Sequence, residues 1–372
     1  MESRSATVRK VRYAVVGLGH IAQVAILPAF ARATNSELVA LVSGDSEKLD
    51  KLSRKYKVEQ AYSYDDYEKA LSQVDAVYIA LPNHLHKEYG VTAANAGRHV
   101  MCEKPLAVTE EECEAMLEAA RNNSVKLMVA YRLHFEKGNL EAICVANDGT
   151  LGNIRFFTSE FAQQVAEDNV RVTQPTEAGG GPVYDMGVYC INAARYLFRA
   201  EPHQVIAASA TGNDPRFRKT EEMMAVTLRF PEERLATFIC SFGAADVSRY
   251  SVIGTKGGLT ADPAYEYSNG IKLRLTIGDK IKNRSFPKRD QFAAELVYFS
   301  KCILQNQEPE PSGLEGLADV RVVRAIYESA RSGRVVDIPN MPHKKKPSSE
   351  QEIQRPPHGK PETLKVKSAS GE

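Results

Sequence analysis

A glycine-rich turn between an apolar run and a helical stretch constrains the fold of this chain most strongly. Directly after the apolar run at 13–16 comes the sequence Gly17-Leu-Gly19-His20-Ile21-Ala22. Gly17 permits a tight turn, Gly19 lets the backbone approach a pyrophosphate, and the small Ala22 lets the following helix pack closely. The first N–H groups of that helix then face the phosphates. We therefore predict a dinucleotide site here, the alternative being a tight βα turn without a ligand.

Short apolar runs alternate with amphipathic stretches from residue 11 to about residue 132, a pattern typical of βα units in a parallel sheet. The predicted strands are Tyr13–Val16, Leu38–Val42, Ala76–Leu81, His99–Cys102 and Leu127–Ala130. The predicted helices are Ser46–Lys57, His86–Ala96 and Thr109–Asn122, the last starting with a capping box between Thr109 and Glu112. The pattern predicts a doubly wound α/β Rossmann domain over residues 11–132, after a flexible N-terminus at 1–10.

The second half of the chain has a different pattern of apolar runs. A Gly-rich break at 179–181 precedes one helix, several short β-like runs and two closing helical stretches. This order predicts an α+β domain over residues 133–338 with a largely antiparallel, open sheet. Residues 339–372 are rich in Pro, Lys and Ser and hold few large apolar residues, so we predict a disordered tail.

Composition excludes several classes of partner. The 372 residues favour two domains over one, and the net charge of +1 gives no basic field for nucleic acid. No apolar run approaches the roughly 18 residues that cross a bilayer. The polar opening segment lacks the apolar stretch of a secretory signal. Six cysteines are scattered without a C-x-x-C pair, which argues against a metal site and disulfides. We expect a cytoplasmic protein.

The end of the second predicted strand indicates which dinucleotide binds. A carboxylate there usually bonds the ribose of NAD, but this run ends in Ser43-Gly44-Asp45. Neutral Ser43 would not repel a 2′-phosphate, and Lys48 in the next helix would pair with one, so NADP is favoured. We also expect Tyr64 to contact the cofactor. Two alternatives stay open: Asp45 binds the ribose of NAD, or Asp45 merely caps the helix.

Ligands of a doubly wound sheet bind beyond the carboxyl ends of its strands. Two segments follow such ends, Leu81-Pro82-Asn83-His84-Leu85-His86 and Met101-Cys102-Glu103-Lys104-Pro105. Both are expected to contact the cofactor, Leu81, Pro82, Asn83, His86, Glu103 and Lys104 being the residues concerned. Lys104 places a cation at the nicotinamide end. The alternative is an ordinary surface lysine in a salt bridge.

The Gly-rich break leads into a helix that carries an acid and a phenol. Asp185 and Tyr189 lie four residues apart and are expected on one helix face. Oxidation of an alcohol needs a base for the hydroxyl proton. Tyrosine ordinarily titrates near pH 10, and a neighbouring ammonium such as Lys104 stabilises the phenolate form. The alternative makes Tyr189 a core residue and Asp185 a helix-terminal charge.

Taken together, the motifs resemble those of the Gfo/Idh/MocA family, in particular its sugar oxidoreductase branch, from about Val11 to Val336. They are G-L-G-H-I-A, A-L-V-S-G, L-P-N-H-L-H, H-V-M-C-E-K-P-L-A, Y-R-L-H-F and A-G-G-G-P-V-Y-D-M-G-V-Y-C-I-N-A-A-R-Y-L. The resemblance implies a two-domain dehydrogenase that associates through its C-terminal sheet, as a homodimer or homotetramer. It also implies NADP, often kept between half-reactions.

The same resemblance implies roles for individual residues. Lys104, Asp185 and Tyr189 would be the catalytic group, and Tyr131 and Arg132 would line the cofactor and sugar pocket. That branch has a Trp-Arg pair before the Gly-rich segment. This chain has Asn169-Val-Arg171 instead, and we include Arg171 among the substrate residues.

The resulting hypothesis is hydride transfer from C1 of a cyclic aldose to C4 of NADP, giving a lactone, with Tyr189 as base. A ping-pong cycle that reduces a second sugar would follow if the cofactor is retained. Two other functions are weighed against it. One is an NAD-dependent glycoside hydrolase that oxidises its substrate transiently, and the other is a regulator that binds a dinucleotide without turnover.

Overall fold

The computed structural model describes residues 9–341 and 346–368. Two sheets organise them, one of six strands and one of nine. The predicted flexible N-terminus lies outside the described residues, apart from Arg9 and Lys10. No helix in the described ranges is long and apolar enough to cross a membrane.

The first sheet is entirely parallel, in the strand order β3-β2-β1-β4-β5-β6. Its strands are β1 Val11–Val16, β2 Ser36–Val42, β3 Gln60–Tyr62, β4 Ala76–Ile79, β5 His99–Cys102 and β6 Leu127–Val129. The prediction of a doubly wound sheet is confirmed. Only β3 has no counterpart in the predicted strands, because its three residues are partly or fully exposed and form no apolar run.

Helices cover both faces of this sheet. Helix α1 starts with a π-helical turn at Ala22–Ile26 and continues through Leu27–Ala29 and Phe30–Arg32; the others are α2 Ser46–Tyr56, α3 Tyr67–Leu71, α4 His86–Asn95 and α5 Glu110–Asn122. The capping box of α5 forms as predicted, with Thr109 accepting from the Glu112 amide and Glu112 reaching back. Local chain chemistry therefore determines where this helix starts.

The second sheet is antiparallel except for one parallel pair, β7 with β10, and its order is β14-β13-β12-β11-β7-β10-β9-β8-β15. Its strands are β7 Ile154–Ala162, β8 Gln204–Ala210, β9 Met223–Phe230, β10 Arg234–Ser241, β11 Val247–Gly254, β12 Gly257–Ala261, β13 Lys272–Ile277, β14 Lys280–Ser285 and β15 Val336–Asp337. The helices of this half are α6 Lys137–Asn147, α7 Val170–Thr173, α8 Val188–Phe198, α9 Gln291–Leu304 and α10 Gly313–Ser332. The predicted α+β architecture is confirmed.

Only one face of the nine-stranded sheet is covered by helices. Side chains alternate along β10, where Phe238 is 2% exposed and its neighbour Ile239 is 49% exposed. Leu235, also on β10, and Phe156, on the adjoining β7, are exposed as well. Because successive side chains of a strand point to opposite faces, the outer face of this sheet carries a row of apolar side chains.

Helix α9 joins the two halves in a way that the sequence order did not indicate. The sequence pattern assigns residues 133–338 to the second domain, but Phe292 and Phe299 of α9 pack in the core of the first sheet with Tyr13. The Tyr13 hydroxyl also bonds the Ser300 hydroxyl at 2.8 Å. The first domain is therefore completed by a helix from the far end of the chain.

The described part of the C-terminal tail also differs from its prediction. Residues 346–368 lie against the body of the protein, where Lys346 pairs with Glu201 and Gln351 donates to Glu310. Polar side chains of the tail bond polar groups of the folded domains. The prediction of disorder rested on the small number of apolar residues in the tail, which does not indicate such contacts. The rest of the predicted tail, 342–345 and 369–372, lies outside the described residues.

Candidate active site

A cavity of about 990 Å³ lies at the carboxyl ends of β1, β4 and β5, facing the second sheet. Segments from both halves line it. The π-helical turn Val183–Gly187 brings in Asp185, and the first turn of α8 brings in Tyr189. The sequence predicted a regular helix at this point. π-helical turns are rare and often occur at functional sites, and here one leads directly into the helix that carries Tyr189.

Asp185 lies between two cations. The Lys104 ammonium contacts its Oδ1 at 2.8 Å and its backbone carbonyl at 2.7 Å, while Arg171 Nε contacts Oδ2 at 2.6 Å. Burial opposes ionisation of this carboxyl group, but attraction by Arg171 and Lys104 outweighs burial and holds the pKa of Asp185 well below its usual range. Asp185 is thus a fixed anion that orients Lys104.

Tyr189 is held against the same lysine. The Lys104 Nζ lies 4.8 Å from the centroid of the Tyr189 ring, and the Arg132 guanidinium lies 5.0 Å from the same centroid. Arg132 Nε donates to the Tyr189 hydroxyl at 3.2 Å. Gln291 and the Tyr265 carbonyl hold the remaining nitrogens of Arg132. Arg132 therefore contacts the phenol oxygen directly, and Lys104 lies over the ring of the same residue.

Glu103 and Pro105 flank Lys104 in the chain, and the Lys104–Pro105 peptide bond is cis. The Tyr78 hydroxyl donates to Glu103 at 2.8 Å, and desolvation raises the pKa of Glu103. Lys104 extends to Asp185, while Glu103 stays beside the strand ends.

The predicted glycine turn has the geometry that a pyrophosphate needs. Gly17 has a φ of +94°, and a Cβ there would lie 2.5 Å from the Ala80 carbonyl oxygen, so no other residue fits without movement. A Cβ on Gly19 would meet no atom within 4 Å, which leaves open space above this backbone. Ala22 is fully buried under the turn. The residues present therefore fit a dinucleotide phosphate.

The expected adenosine end lies at the carboxyl end of β2. The Tyr64 ring packs on Gly44, where an added Cβ would lie 3.2 Å from a ring carbon. The Asp45 carboxylate accepts from the amides of residues 47 and 48, so Asp45 is the N-cap of α2, as one of the alternatives held.

Most predicted site residues line the cavity. They are Gly19, His20, Ile21, Leu81, Pro82, Asn83, Glu103, Lys104, Arg132, Arg171, Asp185 and Tyr189. Gly17 and Ala22 lie in the glycine turn next to this lining but are not part of it. Ser43, Gly44, Lys48 and Tyr64 cluster around the end of β2, outside the cavity lining.

Two further predicted site residues do not line the cavity. His86 is fully buried, and its ring nitrogens bond the carbonyls of Pro105 and Leu81, so it ties two loops together while His84 lines the cavity. Tyr131 is 6% exposed and donates to Asp319 at 2.6 Å inside the protein core. In each case neighbouring residues in the chain point to opposite sides of the loop, which spacing alone did not reveal.

The cavity also contains residues that sequence reasoning missed. Asp168 and Asn169 line its outer part, Tyr267 comes from the loop after β12, and Lys365 comes from the C-terminal tail. No motif marked these positions, because they meet the site only through the packing of distant segments.

The chain is similar to known oxidoreductases along nearly its whole length. Residues 11–131 match an oxidoreductase family described by its NAD-binding Rossmann fold, and residues 139–260 match the GFO/IDH/MocA C-terminal domain. D-xylose 1-dehydrogenase [NADP(+)] of Haloarcula marismortui is 31% identical over 91% of this chain and 96% of that protein.

Solved structures have the same fold. Aldose-aldose oxidoreductase from Caulobacter crescentus, solved with glycerol, superposes with a TM-score of 0.84 at 39% identity, over 88% of this chain and 100% of that one. A 3-ketoreductase from Actinomadura kijaniata, solved with NADP and TDP-benzene, superposes with a TM-score of 0.79 over 86% and 98% of the chains; its identity of 24% supports the fold alone. Together, the matched domains and the near-complete coverage of these relatives show that this chain belongs to the Gfo/Idh/MocA oxidoreductase family.

Proposed function

We propose that the protein is an NADP-dependent sugar oxidoreductase that oxidises a cyclic aldose at C1 to a lactone. The observation that carries this proposal is the contact of Lys104, Asp185 and Tyr189 within one cavity at the strand ends of a dinucleotide fold. The names of the xylose dehydrogenase and aldose-aldose oxidoreductase relatives support the substrate class.

Tyr189 takes the hydroxyl proton of the sugar. It does so as the phenolate, whose oxygen accepts a hydrogen bond from Arg132 and whose ring lies under Lys104. The proton passes on to water before the next turnover. Asp185 keeps Lys104 in position through its own bond to Oδ1. NADP, when bound, supplies the acceptor for the hydride that leaves C1.

The outer cavity suits a polyhydroxylated ligand. Arg171, Asp168 and Asn169 offer charged donors and acceptors there, while the aromatic rings of Phe161 and Tyr267 form an apolar side. Sugars present hydroxyl groups at their rim and C–H groups on their faces, so a mixed lining of this kind recognises them. We place the substrate between this lining and Tyr189.

The cofactor is assigned to NADP because the end of β2 has neutral Ser43 in place of a ribose-binding carboxylate, with Lys48 one helical turn further on. We further propose that the cofactor stays bound and reduces a second sugar. Denaturing the purified protein and identifying the released nucleotide tests both statements. A near-stoichiometric yield of NADP(H) supports them, whereas released NAD(H) would overturn the assignment.

Rapid mixing tests the reaction itself. Enzyme loaded with NADP and mixed with a panel of aldoses should show nicotinamide reduction in a single turnover. Absence of reduction with every aldose and polyol would refute the proposal. Release of sugar from an aryl glycoside without net change in the nicotinamide would instead identify the glycoside hydrolase.

Association through the second sheet belongs to the same proposal. The outer face of this sheet exposes large apolar side chains, Phe156, Ile206, Leu235, Ile239 and Ile281, and such patches usually contact another protein. We propose a homodimer or homotetramer formed by this face. Light scattering of wild type and of the Ile239→Lys variant tests it, since the variant should have a lower mass. All six cysteines are free, which supports a location in the reducing cytoplasm.

A further inference from the structure

The C-terminal segment 356–368 lies across the first domain and is held there mainly through its backbone. Arg32 Nε donates to the Pro356 carbonyl at 2.8 Å, and Lys55 donates to the Glu362 carbonyl at 2.7 Å. Gln23, which is 1% exposed, both donates to and accepts from the backbone of Leu364, at 3.0 and 2.7 Å. Since Gln23 lies in α1 just after the glycine turn, the segment is positioned directly beside the dinucleotide site.

Lys365 follows this anchor and reaches the end of β2. Its ammonium lies 2.6 Å from Glu47 Oε2 and 3.7 Å from Asp45 Oδ2, and the residue also lines the cavity. Its backbone has a φ of +49°, which is uncommon for a residue with a side chain. The bonds to Gln23 on one side and to Glu47 on the other fix this conformation.

The charges around this point create a problem for a phosphorylated ribose. Asp45 and Glu47 place two carboxylates within a few residues of Ser43, and a phosphate monoester adds about two further negative charges. Lys51 faces Glu47 at 2.8 Å on the outer side of α2. Hydrogen bonds from Lys365 and Lys51 lower the pKa of Glu47 to about 2, so this carboxylate is fully ionised.

Building on the proposed function, we infer that Lys365 is a specificity residue for the 2′-phosphate of NADP. It neutralises the carboxylates at the end of β2 and places a cation where the phosphate would otherwise meet two anions. Selectivity for NADP over NAD then depends on a residue near the C-terminus as well as on Ser43 and Lys48 in the nucleotide-binding domain.

Direct binding measurements on the full chain test this inference. NADPH and NADH are titrated separately, with nicotinamide fluorescence as the readout. The Lys365→Ala variant should bind NADPH about fivefold to tenfold more weakly, and NADH within about twofold of wild type, because NADH has no 2′-phosphate to be repelled by Asp45 and Glu47. Lys365→Arg should keep the wild-type ratio of the two affinities. Adding Glu47→Gln to Lys365→Ala should recover part of the NADPH affinity.

Lys367→Ala is the matched control. Lys367 belongs to the same segment but pairs with Asp168 at 2.9 Å, away from β2, so its loss should leave the NADPH-to-NADH ratio unchanged. An unchanged ratio in Lys365→Ala would overturn the inference, as would tighter NADPH binding, which would mean that the segment competes with the cofactor. Failure of wild type to bind either nucleotide would instead refute the proposed function.

Discussion

Replacing Tyr189 by Phe removes a single oxygen atom and tests the proton acceptor directly. The ring should stay in place, because its centroid contacts with Phe161 at 5.6 Å and Tyr265 at 5.9 Å do not involve the hydroxyl. One hydrogen bond is lost, from Arg132 at 3.2 Å, and Arg132 keeps its bond to Gln291. We expect the free energy of unfolding to fall by about 1 kcal/mol or less.

The effect on the reaction should be far larger. Removal of a general base lowers kcat by about 10²–10⁴-fold, which corresponds to about 3–5 kcal/mol in activation free energy. The loss should be independent of cofactor binding, since we expect the dinucleotide to bind at Gly19 and at the end of β2. The assay is single-turnover nicotinamide reduction by an aldose, combined with fluorescence titration of NADPH against the Tyr189→Phe variant.

Tyr184→Phe is the matched control for this substitution. Tyr184 lies five residues earlier, in the π-helical turn that precedes α8, and its hydroxyl donates to the Val108 carbonyl at 2.9 Å in the core. This variant should lose about 1 kcal/mol of stability and keep its turnover. If Tyr189→Phe retained a rate within about tenfold of wild type, assignment of Tyr189 as the base would be wrong.

Three further outcomes follow from the structure. Lys104→Met should lower kcat by about 10²–10⁴-fold with little change in stability, measured by turnover and urea unfolding, because Arg171 still pairs with Asp185. Burial raises the pKa of Glu221 to about 7 from 4.5. The native state therefore keeps this proton up to a higher pH than the unfolded state does. The free energy of unfolding should fall by at most about 3 kcal/mol as the pH rises from 4.5 through about 7. Urea midpoints at about pH 5 and pH 8 should show this loss in wild type but not in Glu221→Gln; equal losses would contradict the explanation. Gly17→Ala should destabilise the protein more than Gly97→Ala in the same unfolding assay, because both have positive φ but only Gly17 would collide with a carbonyl.

Much of the site was predictable because its chemistry follows strand ends. Lys104 lies two residues after the end of β5 and Asp185 follows a Gly-rich break, so both could be assigned to the cleft from the chain alone. The orientation of individual side chains could not be assigned in this way. His84 and His86 are two residues apart, yet one faces the cavity and the other bonds two carbonyls inside the protein.

The sequence by itself determined those features that depend on residues close together in the chain. The turn at Gly17, the capping box of Thr109 and five of the six parallel strands arise from local sterics, hydrogen bonding and hydrophobic periodicity. These interactions form over a few residues, so their pattern is visible before the chain folds.

Only the tertiary structure decided which distant groups meet. It placed Arg171 on Asp185, packed α9 against the first sheet and brought Lys365 to Asp45 and Glu47. Such contacts join residues separated by up to some three hundred positions, and they depend on the packing of whole elements. No local pattern encodes that packing, so the position of the Lys365 ammonium at the end of β2 is apparent only in the folded chain.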